Sequence, residues 1–144
     1  MGAIEQLQGD RIYVDTNVWI YAMEGVDKYA DFLATVFESD MEIVTSELAI
    51  AESLVAPIRA QDVDKQNSYM DAIANVDNTT AIPINRRILL EAARVRSYTK
   101  LKLPDAIHAA TALATNCTTF LTNDKQFRTV EGLSVLLLQT AVGG

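Results

Sequence analysis

Short apolar runs alternate along the chain with longer stretches of helical spacing. Arg11-Ile12-Tyr13-Val14-Asp15 and Glu42-Ile43-Val44-Thr45 are strand-length and β-rich. Thr79-Thr80-Ala81-Ile82-Pro83-Ile84 is a weaker third run, because Pro83 suits a strand end or a sheet edge. Cys117-Thr118-Thr119-Phe120-Leu121-Thr122 and Leu133-Ser134-Val135-Leu136-Leu137-Leu138 bring the expected strands to five. Between them, Asp27 to Glu38, Ser46 to Arg59, Asp64 to Val76, Asn85 to Tyr98 and Pro104 to Asn116 place apolar residues at helical intervals. Continuous apolar strands separated by helices predict a parallel sheet covered on both faces. No repeat and no Gly/Pro-rich linker divides the 144 residues, so a single α/β domain over 1–144 is expected.

Helix punctuation agrees with this pattern. Asn85 can cap the stretch whose apolar stripe is Ile88, Leu89, Ala92 and Val95. Pro104 stands at a first helical position, with Asp105 beside it in the first turn. Pro57 is expected to kink or end the helix around it.

Composition narrows the chemistry. Cys117 is the only cysteine and His108 the only histidine, which excludes an intrachain disulfide and a Cys/His zinc site. The scarcity of cysteine fits a reducing, cytoplasmic setting. Met-Gly-Ala-Ile-Glu-Gln lacks the basic flank of a signal peptide, and Gln6 stands where myristoylation wants Ser or Thr. The strongest apolar run, Val135 to Leu138, is far short of a membrane span. The net charge is −7, which repels nucleic acid unless a local basic patch or a bridging cation intervenes. The segment from Arg86 to Lys102 holds half of the 12 basic residues, against Glu91 alone.

Open parallel sheets bind ligands at the carboxyl ends of their strands, which draws attention to the acids there. Asp15 ends the first run; it reads equally as a helix cap. Asp124, just after the fourth run, reads equally as a turn residue. Glu52 sits mid-helix among Leu48, Ala49, Ile50, Ala51, Leu54, Val55 and Ala56, a segment apolar on nearly every side. A carboxylate buried there needs a cation or a proton, so a functional role outweighs an ordinary ion pair. Asp105 opens another nearly all-apolar helix. His108 lies close to the same face, and reads as a core or rim residue without a catalytic role. Four converging carboxylates repel unless protonated or joined by divalent ions, and oxygen-only ligands suit Mg²⁺ or Mn²⁺. Such an ion completes its shell with phosphate oxygens, which points to a phosphodiester substrate. The basic segment leads directly into Asp105 and can grip backbone at the rim, with Arg94, Arg96 and Lys100 as the candidates.

Four motifs together resemble the PIN domains, and among them the VapC-type toxin ribonucleases of prokaryotic toxin–antitoxin pairs. They are Ile12-Tyr13-Val14-Asp15-Thr16-Asn17-Val18, Ser46-Glu47-Leu48 through Glu52, Leu103-Pro104-Asp105-Ala106-Ile107-His108-Ala109-Ala110, and Leu121-Thr122-Asn123-Asp124 through Phe127. The resemblance implies a Rossmann-like α/β/α sandwich and a Mg²⁺- or Mn²⁺-dependent endoribonuclease. It implies that Asp15, Glu52 and Asp105 are the core metal ligands, that Asp124 is a fourth and more variable acid, and that Asn17 and Thr122 orient the carboxylates. It further implies an RNA substrate, a homodimer, and an antitoxin whose tail carries a basic side chain into the acids. The segment before Arg11 is longer than the family's usual start.

Two rival readings stand beside this one. An aspartyl-nucleophile phosphohydrolase wants a second acid two residues after Asp15, where this chain has Asn17, and the Walker pattern is absent as well. A non-catalytic module of the same fold, binding RNA or protein, is the stronger rival, since fold alone does not fix activity.

Overall fold

The computed structural model describes Leu7 and residues 10–143. Five strands form one parallel sheet: β1 (Arg11–Val14), β2 (Glu42–Ser46), β3 (Thr79–Ile82), β4 (Thr119–Thr122) and β5 (Val135–Leu137), in the order β3-β2-β1-β4-β5. Among the described residues the helices are α1 (Thr16–Glu24), α2 (Asp27–Glu38), α3 (Glu47–Arg59), α4 (Val63–Ala74), α5 (Arg86–Tyr98), α6 (Leu103–Ala114) and α7 (Leu138–Ala141), with a 3-10 turn over Lys125–Thr129. Pro83 falls just past the end of β3, an edge strand, where its missing N–H costs no ladder bond.

The period of the strands sorts side chains to two cores. Ile12 and Val14 of β1 point to one face, where α1, α2 and α7 contribute Val18, Trp19, Leu33, Val36 and Leu138. Tyr13 points to the other, where α5 and α6 contribute Ile88, Ala92, Val95, Ala106, Ala109 and Ala110. A sheet buried on both faces needs no polar alternation, and this explains why the strands read as continuous apolar runs. The small side chains of α6 let it lie close on the sheet beneath Tyr13 and Phe120, whose rings stack 4.9 Å apart.

The expected boundaries hold to within two residues, and two local features differ. Pro57 lies inside α3, which runs on to Arg59 before ending. The same helix is not enclosed: Ala49, Ser53 and Pro57 form its buried stripe, while Val55 and Ile58 are exposed. Its uniform apolarity therefore marks a helix with one face on the core and one on solvent. Gly25 ends α1 in the left-handed region at φ 63°, returning the chain so that α2 can pack alongside. The long segment expected before Arg11 lies outside the described residues, apart from Leu7, which is buried in the first core, and the exposed Asp10.

Because all strands are parallel, their carboxyl ends share one edge. β1 is followed in space by β2 on one side and β4 on the other, so the chain's direction of winding reverses beside β1. At such a reversal the flanking connections diverge and leave a crevice at the sheet's carboxyl edge.

Candidate active site

Each of the four sequence-selected acids reaches this edge from a different element. Asp15 follows β1 directly and is buried, with 6% of its surface exposed. Its Oδ1 accepts from the Thr16 backbone N–H at 2.8 Å and its Oδ2 from the Thr122 hydroxyl at 2.7 Å. It is thus both the N-cap of α1 and a strand-end acid, and the two readings of it are compatible. Asp124 follows β4; its backbone N–H donates to Thr122 Oγ1 at 3.1 Å, and its Oδ1 caps the 3-10 turn through the Gln126 N–H at 2.9 Å. Asp105 sits in the first turn of α6 and is half-buried, and among the described residues its carboxylate accepts no hydrogen bond. Glu52 projects from the middle of α3.

Glu52 is the acid whose surroundings the sequence foretold least well. Its side chain is one-third exposed and is held by His108, whose Nε2 lies 2.7 Å from Oε1. The Thr16 hydroxyl donates to the same oxygen at 2.7 Å. His108 is itself buried, its Nδ1 is 2.6 Å from the Tyr13 hydroxyl, and its Nε2 is 3.1 Å from Thr16 Oγ1. Thr16 carried no chemical signal beyond its place after Asp15, and His108 only its helical spacing from Asp105. Asn17, by contrast, is exposed and bonds none of the acids among the described residues.

The acids act on one another electrostatically. Burial pushes the Asp15 carboxyl up, against the opposing pull of His108, Thr122 and Thr16, and Glu52 adds to the rise. Asp105 is raised by burial first and then by the negative field of Asp15, with Asp124 and Glu52 adding to it. Burial pushes Glu52 up too, but the hydrogen bonds from His108 and Thr16 outweigh it and hold this carboxyl below its usual range. Burial likewise keeps the Tyr13 hydroxyl protonated far above the usual tyrosine range.

The PIN domain family pattern matches residues 12–133, from β1 to the approach to β5. This chain belongs to the PIN domain family. Solved structures with the same fold include VapBC2 from Rickettsia felis bound to a DNA fragment from its promoter, at 19% identity and TM-score 0.70, covering 88% of this chain and 98% of that one. A toxin–antitoxin complex from Klebsiella pneumoniae matches at 23% identity and TM-score 0.70, covering 88% and 97%. VapBC-1 from nontypeable Haemophilus influenzae matches at 18% identity and TM-score 0.67, covering 89% and 98%. Comparison with curated proteins finds no match.

In this PIN domain Asp105 and Asp124 open onto a cleft of about 960 Å³ lined also by Lys100, Lys102, Tyr98 and Gln126, while Glu52 borders a separate, smaller pocket with Glu24 and Lys65. Of the three basic candidates, the structure brings Lys100 to the cleft. Arg94 pairs with Glu91 at 3.2 Å, and Arg96 Nε donates to the Leu101 carbonyl at 3.1 Å, bracing the turn into α6. Lys102, indistinguishable in sequence from its neighbours, lines the cleft as well.

Among the described residues, no three acidic, imidazole or thiol groups are gathered into a cage for an ion. Mg²⁺ does not require one: it is bound through one or two carboxylates and keeps several waters. Asp105 lacks hydrogen bonds of its own and is raised by its acidic neighbours, so it has oxygens to give and a repulsion that a cation relieves. The residues fit a hard, oxygen-preferring cation. No helix among the described residues is long and apolar enough to cross a membrane.

Proposed function

We propose that this PIN domain is a divalent-metal-dependent endoribonuclease and the toxin partner of an antitoxin. The observation that carries the reading is the meeting of four carboxylates, from β1, α3, α6 and the end of β4, at the reversal point of the sheet beside a cleft that also holds two lysines. Asp15, Glu52, Asp105 and Asp124 would hold Mg²⁺ or Mn²⁺. When bound, the ion supplies charge neutralisation at the scissile phosphate and acidifies the attacking water.

The chain's own residues do the rest. Thr122 and the Thr16 N–H fix both oxygens of Asp15, so that its carboxylate cannot rotate. Thr16 and His108 hold one oxygen of Glu52, and among the described residues the other, Oε2, accepts no hydrogen bond. Lys100 and Lys102 offset the protein's negative charge where a phosphodiester backbone would lie, and Tyr98 offers an exposed aromatic face for a base. The similar folds occur in structures described as VapBC or toxin–antitoxin complexes, which supports a protein antitoxin as partner. Exposed Val55, Ile58, Val63 and Met70 on α3 and α4 offer such a partner apolar surface, and Leu89 and Leu90 on α5 offer surface for a second copy of the chain.

The test is cleavage of single-stranded RNA by protein freed of any antitoxin. Activity is expected with Mg²⁺ or Mn²⁺, is abolished by EDTA, and falls at least a hundredfold in Glu52→Gln with an unchanged circular dichroism spectrum. Metal-independent RNA binding without cleavage would instead favour the non-catalytic module.

A further inference from the structure

We propose that His108, through Tyr13, is the positioning residue for Glu52: it fixes that carboxylate by Oε1 and reserves Oε2 for the metal site. This rests on the nuclease reading above and adds to it a residue outside the four acids.

The geometry is that of a buried chain ending at the site. Tyr13 lies in the core, its ring stacked on Phe120 and edge-on to His108 with centroids 5.8 Å apart. In the neutral ring the Tyr13 hydroxyl donates to Nδ1, the imidazole proton sits on Nε2, and Nε2–H donates to Glu52 Oε1. In the charged ring Nδ1–H donates to the Tyr13 oxygen and Nε2–H still donates to Glu52 Oε1. The Thr16 hydroxyl supplies the second donor to that oxygen. Two donors on Oε1 hold the carboxylate against rotation and weaken this oxygen as a ligand, so Oε2 is the one that faces a cation. Glu52 arises from a partly exposed helix, and without this clamp its side chain has rotamers that leave the site. A buried imidazole needs partners for its nitrogens whatever its role; here one partner is a carboxylate of the site, so the placement of Glu52 depends on the ring.

Two polar substitutions separate these roles, because they reach different ends of the network. In His108→Gln the amide nitrogen reaches the place of Nε2 and can still donate to Glu52. In His108→Asn the shorter amide reaches the place of Nδ1 and meets Tyr13 only. The measurement is Mn²⁺ affinity by titration calorimetry on the full chain, together with kcat and KM for RNA cleavage. Loss of a partner that orients a metal ligand weakens metal affinity by about 10–100-fold. His108→Asn should therefore bind Mn²⁺ about tenfold or more weakly and lose kcat with KM little changed, while His108→Gln stays within about threefold of wild type. Tyr13→Phe keeps the stacked ring and removes only the donor to Nδ1; a several-fold weaker Mn²⁺ affinity is expected, and this variant decides the matter if His108→Asn does not fold. Unchanged Mn²⁺ affinity in both His108→Asn and Tyr13→Phe, with wild type binding normally, overturns the role of His108 and leaves the nuclease reading intact. Wild-type protein that binds no Mn²⁺ overturns the nuclease reading and this proposal with it.

Discussion

Asp105 and Glu52 show how carboxyl groups of one site shift in opposite directions. Glu52 has two donors on a single oxygen and stays ionised below its usual range, whereas Asp105 has none and carries its neighbours' repulsion. The consequence for stability has a definite sign. The folded chain keeps the Asp105 proton above the ordinary value of 3.8, so between that pH and the raised folded value it binds more protons than the unfolded chain. Stability therefore falls as pH rises through this window. Asp105→Asn removes the fall and loses no hydrogen bond. Without divalent ion it should melt about 1–3 °C above wild type at pH 7, and show no such gain well below pH 4. Thermal melts of both proteins across pH 3–8 check this.

At the scale of elements, capping residues decide where helices begin. Ser46 accepts from the Leu48 N–H at 3.1 Å and starts α3 directly at the end of β2, which delivers Glu52 to the site a turn and a half later. Asn85 accepts from the Ile88 N–H at 2.9 Å and starts α5, and the short connection from α5 to α6 carries Lys100 and Lys102 to the cleft. Asn85→Ala should cost about 1 kcal/mol in urea denaturation, the usual loss for an N-cap, without altering RNA cleavage per folded molecule. The exposed apolar face of α3 separates two meanings of hydrophobic sequence. Ala49, Ser53 and Pro57 face the core, while Val55 and Ile58 need a partner or stay in water.

For the molecule as a whole, the question is how a chain of net charge −7 holds a polyanion. The cleft answers locally, with Lys100 and Lys102 lining it together with Asp105 and Asp124. Each lysine that contacts a phosphate of a single strand adds about 0.7 to the slope of log affinity against log salt. The Lys100→Glu, Lys102→Glu double variant should therefore bind RNA more weakly, with a slope shallower by about 1.4, when measured in EDTA so that cleavage does not intervene. The paired Arg94→Glu should change the slope far less. Equal slopes for all three proteins would remove the lysines from the RNA contact.

The sequence by itself determined the α/β class, the five strands and the starts of the expected helices, and it singled out the four acids as candidates, because these follow from local periodicity, capping chemistry and strand-end position. The resemblance to the PIN domains implied both Thr122 and Asn17 as hydrogen-bonding neighbours of the acids; Thr122 bonds Asp15, whereas Asn17 is exposed and bonds none of them among the described residues. The tertiary structure alone decided that Tyr13, 95 residues away in sequence, meets His108, and that His108 in turn meets Glu52 from 56 residues away. No local signal encodes such contacts. They exist because β1, α3 and α6 converge at the edge where the sheet reverses, and burial there leaves each polar group to find its partner on another element. For the same reason Arg94, Arg96 and Lys100 look alike along the chain and part company in space: a charge is read from its position in sequence, and its availability from what already holds it.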